Sequence, residues 1–136
     1  MKGKFLNTTT KQFIQYGALM MVLTVGFGAF GAHALKDALD ENMLKVYKTG
    51  IEYQFYHTVG LFLVAFISHI NDNKLIKTAG YVMIASIIIF SGSLYLLAIT
   101  SIKWLGIITP IGGTGFIAAW ILVFASVNEQ DVNKTS

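Results

Sequence analysis

The chain has 136 residues, 54% hydrophobic and 12% charged, with a mean hydropathy of +0.62; soluble domains carry about 25% charged residues, so the composition points to a membrane. It contains no cysteine, which excludes disulfides and thiolate metal sites. The net charge of +3 rests on ten lysines and no arginine, scattered at the ends of apolar segments rather than gathered in one patch, which argues against a nucleic-acid partner.

Between consecutive charged residues lie four long intervals, 12–35, 53–71, 78–102 and 104–128. A helix rises 1.5 Å per residue, so about 20 residues cross a hydrocarbon core of about 30 Å, and every interval is long enough. The prediction is an all-α integral membrane bundle. One domain over 1–136 holds four transmembrane helices at about 12–35, 53–71, 78–101 and 104–127, joined by short loops.

The first interval ends on Ala32-His33-Ala34, which has the A-x-A form of a signal-peptide cleavage site. Signal peptides have apolar regions of about 7 to 15 residues, whereas Gln12 to Leu35 gives 24 without a formal charge. It is read as an uncleaved span with His33 near its end. The following stretch, Lys36 to Ile51, mixes three acids and three lysines with Leu39, Met43, Leu44 and Val46 at near-helical spacing. That pattern predicts a short amphipathic helix lying along the interface between the first two spans.

The links Asn71–Lys77 and Ser101–Lys103 are short enough to force antiparallel neighbours. The polar tail from Asn128 to Ser136 reads as frayed. An inside N-terminus places Lys2, Lys4, Lys11, Lys74, Lys77 and Lys134 in the cytoplasm and leaves Lys36, Lys45, Lys48 and Lys103 outside. The positive-inside rule then predicts a multi-pass plasma-membrane protein with both termini cytoplasmic.

With that topology, polar residues gather in the outer half: His33 and His57, Glu52, Tyr53 and Gln54, then Ser91, Ser93 and Tyr95, and Thr109 on the last helix. Tyr53 and His57 are four apart and share a face. Exposing an ionisable residue to lipid is unfavourable, so His57 is expected to point inward, toward helix 1 or helix 3, where His33 could meet it. Two readings follow. His33, Glu52, Tyr53 and His57 form a proton-handling or metal-binding cluster, or they are interhelical hydrogen-bonding groups at the mouth of the bundle. Zinc wants three or four convergent ligands, and only Glu52 is near enough in sequence to supplement the histidines, so neither a metal nor a cofactor is expected. His69 reads as a simple interfacial residue.

Small residues recur in helix 1, at Gly28, Gly31 and Ala32, and in helix 4, at Gly112, Gly113, Gly115 and Ala119; Gly92 lies between two serines of helix 3. Gly28 with Ala32, and Gly115 with Ala119, are small-xxx-small pairs that let backbones approach closely. Pro110 lacks an N–H and precedes two glycines, so helix 4 is expected to kink or unwind there. Such a break either lines a transport site or is a plain kink.

Four ordered motifs, GAFGAHALK at 28–36, YQFYHTVGL at 53–61, FSGSLYLLAIT at 90–100 and LGIITPIGGTGFIAAW at 105–120, carry a family resemblance. Together they resemble the small four-helix membrane proteins of the domain of unknown function 423 family, which takes in YgdD-like and transmembrane protein 256-like proteins. The resemblance runs from Gly17 to Trp120. It implies a compact integral protein of the bacterial plasma membrane and no particular reaction. The family's motif positions map onto Gly28, Gly31, His33, Tyr53, Gln54, His57, Ser91, Gly92, Tyr95, Pro110, Gly112 and Gly113.

The leading expectation is a non-enzymatic protein that supports membrane integrity, or partners a membrane complex or further copies of itself within the bilayer. Three alternatives stand beside it. A small transporter or channel would use the His33/His57 region and the Pro110 break, though no acid lies at mid-membrane. An intramembrane lipid hydrolase would need Ser91 or Ser93 as nucleophile and His57 as base. A pocket lined by Phe55, Tyr56, Phe90 and Tyr95 would bind a lipid or another apolar small molecule.

Overall fold

The structure, a computed structural model, describes residues 5–129. It consists of four long helices, α1 (Thr8–Phe30), α2 (Glu41–Ile70), α3 (Lys74–Thr100) and α4 (Thr109–Ser126), and no strand occurs among the described residues. Local chemistry sets where they start. The side chains of Asn7, Asp40 and Asn73 each accept from the backbone N–H three residues on, at 2.7, 2.9 and 3.0 Å. Each bond satisfies one of the four N–H groups that a helix leaves unpaired at its N-terminus.

The helix ends differ. α1 widens into a π turn over Gly31–Leu35, and α3 stops at Ser101, whose φ of 57° is left-handed. A 3-10 turn over Lys103–Ile107 precedes α4, so Pro110 falls in the first turn of that helix. The irregularity predicted in helix 4 is therefore a junction at Ile108 rather than a kink. A first-turn proline gives up an N–H that has no helical partner in any case.

The interfacial helix expected over 36–51 is not a separate element. Only a turn separates the end of α1 from α2, which then runs unbroken for 30 residues. The reason is packing: Tyr47 and Gly50 are buried, Tyr47 Oη donates to the Phe27 carbonyl at 2.7 Å, and the Gly50 carbonyl accepts from Ser91. These contacts draw the stretch onto α1 and α3. Lys2, Lys4, Lys134 and most of the expected frayed tail lie outside the described residues.

Three segments are long and apolar enough to cross a membrane: Thr8–Leu35, Lys74–Thr100 and Lys103–Ser126. α2 is the longest helix, but Tyr53, Gln54, Tyr56, His57 and Thr58 interrupt its apolar course. α1 packs on α2 and reaches α3 through Phe13, whose ring lies 5.3 Å from Tyr81. α4 packs on α3 and reaches α2 through Phe116 and Trp120. α2 and α3 thus form the central pair, and the core between them includes the fully buried Leu61, Ile76 and Met83 with Phe13.

Candidate functional site

Lipid tails are as apolar as leucine, so helices in a membrane are held by close packing and by hydrogen bonds between them. The conspicuous polar residues of this chain supply those bonds. Gln54 is only 3% exposed. Its Nε2 donates to the Met20 carbonyl of α1 at 3.3 Å, and its Oε1 accepts from Tyr95 Oη of α3 at 2.6 Å, so one side chain links three helices. Ser91 Oγ donates to the Gly50 carbonyl at 2.7 Å, and the rings of Tyr47 and Tyr95 lie 5.0 Å apart.

Across the α3–α4 seam, Ser93 Oγ lies 2.8 Å from Phe90 O and 2.8 Å from Thr109 Oγ1. Here the two backbones nearly touch. A Cβ on Gly112 would sit 2.6 Å from the Phe90 amide nitrogen, and one on Gly115 would collide with Ser86. Gly31 is similarly closed by Tyr47, and Gly50 by Tyr95, whose ring lies 2.7 Å from the position a Cβ would take. Gly28 and Gly113 have ordinary room, their nearest neighbours being Ile51 at 3.9 Å and Phe90 at 3.7 Å, while nothing comes within 4 Å at Gly92.

The histidines are not brought together. His57 is buried and stacks on Phe116 of α4, centroids 3.5 Å apart and planes 11° from parallel. It therefore faces α4, not helix 1 or helix 3 as expected. The geometry follows from helical pitch: three residues after Gln54, at about 100° per residue, place His57 some 60° round the axis from the side chain that meets α1 and α3. Its Nδ1 lies 2.7 Å from the Tyr53 carbonyl; a carbonyl only accepts, so Nδ1 carries the proton. His33 is exposed on the π turn, and Glu52 is exposed beside a cleft between α1 and α2. Tyr53 is 39% exposed and packs on Phe90, with centroids 4.6 Å apart.

No group of three His, Cys, Asp or Glu side chains able to hold a metal occurs among the described residues. Neither Ser91 nor Ser93 bonds to His57, since both hydroxyls donate to or pair with groups on their own or other helices. Phe55 and Tyr56 are exposed and do not line the cleft that Tyr95 shares with Gln54 and Ser91.

Sequence reasoning missed a second network at the opposite end of the helices. Asn7 Nδ2 donates to the Ser68 carbonyl at 2.8 Å, and the Thr10 and Ser68 hydroxyls lie 2.9 Å apart. Asn73 Nδ2 donates to the Ser126 carbonyl at 2.8 Å, and Asn71 Nδ2 to Glu129 O at 2.7 Å. The start of α1, the α2–α3 turn and the end of α4 are thereby tied together. The cluster Asn71-Asp72-Asn73 was the available signal, because asparagine and aspartate side chains at a turn readily bond backbone groups.

Comparison with known proteins agrees with the resemblance in the motifs. Residues 27–113 match the family described as protein of unknown function (DUF423). The UPF0382 membrane protein YwdK of Bacillus subtilis is 47% identical over 114 residues, covering 83% of this chain and 93% of that protein. UPF0382 membrane proteins of Staphylococcus haemolyticus and Staphylococcus epidermidis are 43% identical over 116 and 118 residues, covering 85% and 86% of this chain and 94% and 96% of theirs. No solved structure matches. With its apolar helices and a match over most of its length to proteins named as membrane proteins, the chain is a membrane protein of the DUF423 family.

Proposed function

We propose that the protein is a non-enzymatic four-span bundle of the bacterial plasma membrane, whose tightly locked helices support membrane integrity, alone or as a fixed partner of another membrane protein or of further copies. The observation that carries this reading is the use of the motif polar groups. Gln54, Tyr95, Ser91 and Ser93 are spent on bonds between helices, and among the described residues neither serine pairs with His57.

The four-span count rests on connectivity. α2 joins the far end of α1 to the near end of α3 through short turns, and its 30 residues extend about 45 Å, enough for the whole bilayer with its headgroups. Placement of both termini in the cytoplasm rests on the positive-inside rule. Lys11, Lys74 and Lys77 mark that end among the described residues, with Lys2, Lys4 and Lys134 added by the sequence.

The test is a deletion strain assayed for dye entry and for sensitivity to membrane-active compounds. The expected result is increased entry, restored by the wild-type chain and by His57→Ala but not by Gly112→Leu. An unchanged deletion strain, or flux through proteoliposomes abolished by His57→Ala, overturns the reading.

A further inference from the structure

Near the α1–α2 turn lies a cleft of about 190 Å³, lined by Gly28 of α1, Ala32 of the π turn, and Tyr47, Lys48, Ile51 and Glu52 of α2. Apart from Tyr47, whose hydroxyl donates to the Phe27 carbonyl, its lining side chains take no part in the hydrogen bonds between helices described above. Its two charged residues are one helical turn apart, yet neither makes an ion pair with the other or with any described residue. The nearby Glu41 and Lys45 do pair, at 3.2 Å. Their order is the favourable one, glutamate before lysine, whereas Lys48 precedes Glu52. Both heads are thus left to a ligand.

Depth indicates what kind of ligand. With Ile70 at one boundary of the hydrocarbon, about 20 residues of helix reach the other boundary near Gly50 and Ile51. Lys48 and Glu52 therefore straddle the level where acyl chains meet headgroups. Along the membrane normal the cleft presents a cation first, a carboxylate about 6 Å deeper at helical rise, and apolar surface from Gly28, Ala32 and Ile51 beside and below. Its volume of about 190 Å³ seats a short length of alkyl chain against Gly28 and Ile51.

We propose that this cleft binds a monoacyl phospholipid: its phosphate on Lys48, its free glycerol hydroxyl donating to Glu52, its single chain against Gly28 and Ile51. A lysophospholipid carries these groups in that order. A diacyl lipid has no free hydroxyl between its phosphate and its chains, any headgroup hydroxyls lying above the phosphate, and an ethanolamine headgroup likewise places its ammonium above the phosphate, the reverse of what Glu52 requires.

The test is native mass spectrometry of the full chain in detergent micelles with equimolar lysophosphatidylglycerol, its analogue lacking the free hydroxyl of the acylated glycerol, and diacyl phosphatidylglycerol. One lysolipid is expected to be retained about tenfold over either competitor, the ratio that one charge-assisted hydrogen bond supplies. Glu52→Ala lowers the lysolipid to the level of the analogue, and Lys48→Ala lowers both. Both residues are exposed, and an unchanged unfolding midpoint verifies the fold of each variant. Equal retention of all three lipids, or a lysolipid preference that survives Glu52→Ala, overturns the assignment.

Discussion

Replacing Gly112 by alanine tests the packing account at its tightest point. The new Cβ would meet the Phe90 amide nitrogen at 2.6 Å, its Cβ at 2.7 Å and its Cα at 2.8 Å. These are parts of the α3 backbone or fixed to it, so no side chain can swing away. Carbon contacts are comfortable at about 3.5 Å or more, and α4 must therefore retreat by about 1 Å. That shift stretches the 2.8 Å Ser93–Thr109 bond beyond hydrogen-bonding range. Overpacking costs about 1–3 kcal/mol and the lost bond about 1 kcal/mol, while alanine in place of glycine returns up to about 1 kcal/mol of helix propensity. The expected net loss is about 1–3 kcal/mol, read by far-UV circular dichroism during denaturant titration in micelles. Gly92→Ala is the matched control, because nothing lies within 4 Å of its Cβ; it should be neutral or stabilising by up to about 1 kcal/mol. Equal stability of Gly112→Ala and wild type, or equal damage from both substitutions, would refute the reasoning.

Further predictions use the same assay. Tyr95→Phe removes the donor to Gln54 and leaves its Oε1 without that partner, with an expected loss of about 1–3 kcal/mol. Asn73→Ala removes both the α3 cap and the bond to the Ser126 carbonyl; a loss of about 1–3 kcal/mol should be accompanied by protease sensitivity at the end of α4. His57→Ala opens a void against Phe116 and should lower stability, whereas His33→Ala, at an exposed position, should stay within about 0.5 kcal/mol of wild type.

Three of the four expected spans, those in α1, α3 and α4, were legible because the exclusion of charge from hydrocarbon is a one-dimensional signal: gaps between lysines and acids can be read without knowing any neighbour. The direction of a side chain about its helix axis is not such a signal. His57 faces α4 because Gln54 claims the sector toward α1 and α3, and nothing in the order of residues says which polar group wins that sector. The glycines show the same limit. Gly28 and Gly31 look equivalent in GAFGAHALK, yet only Gly31 has the Tyr47 ring against it. The 36–51 stretch misled because its alternating charges suit an interface equally well as the solvated side of a long helix, and the burial of Tyr47 and Gly50 decides between them. Polar residues at the far end, Ser68, Asn73 and Ser126, were passed over because residues at span ends read as solvated unless their partners are known.

The central claim, that the buried polar residues lock a dry bundle rather than line a passage, is tested most directly by thiol accessibility. The chain has no native cysteine, so single substitutions report without background. Thr58 is fully buried and its hydroxyl makes no hydrogen bond, so Thr58→Cys removes no interhelical bond; Ala38→Cys, in the exposed α1–α2 turn, is the accessible reference. In proteoliposomes treated with a membrane-impermeant thiol reagent, the account predicts rapid labelling at position 38 and none at position 58. Labelling at position 58 approaching the rate at position 38 would show water reaching the interior beside Gln54, and would contradict it.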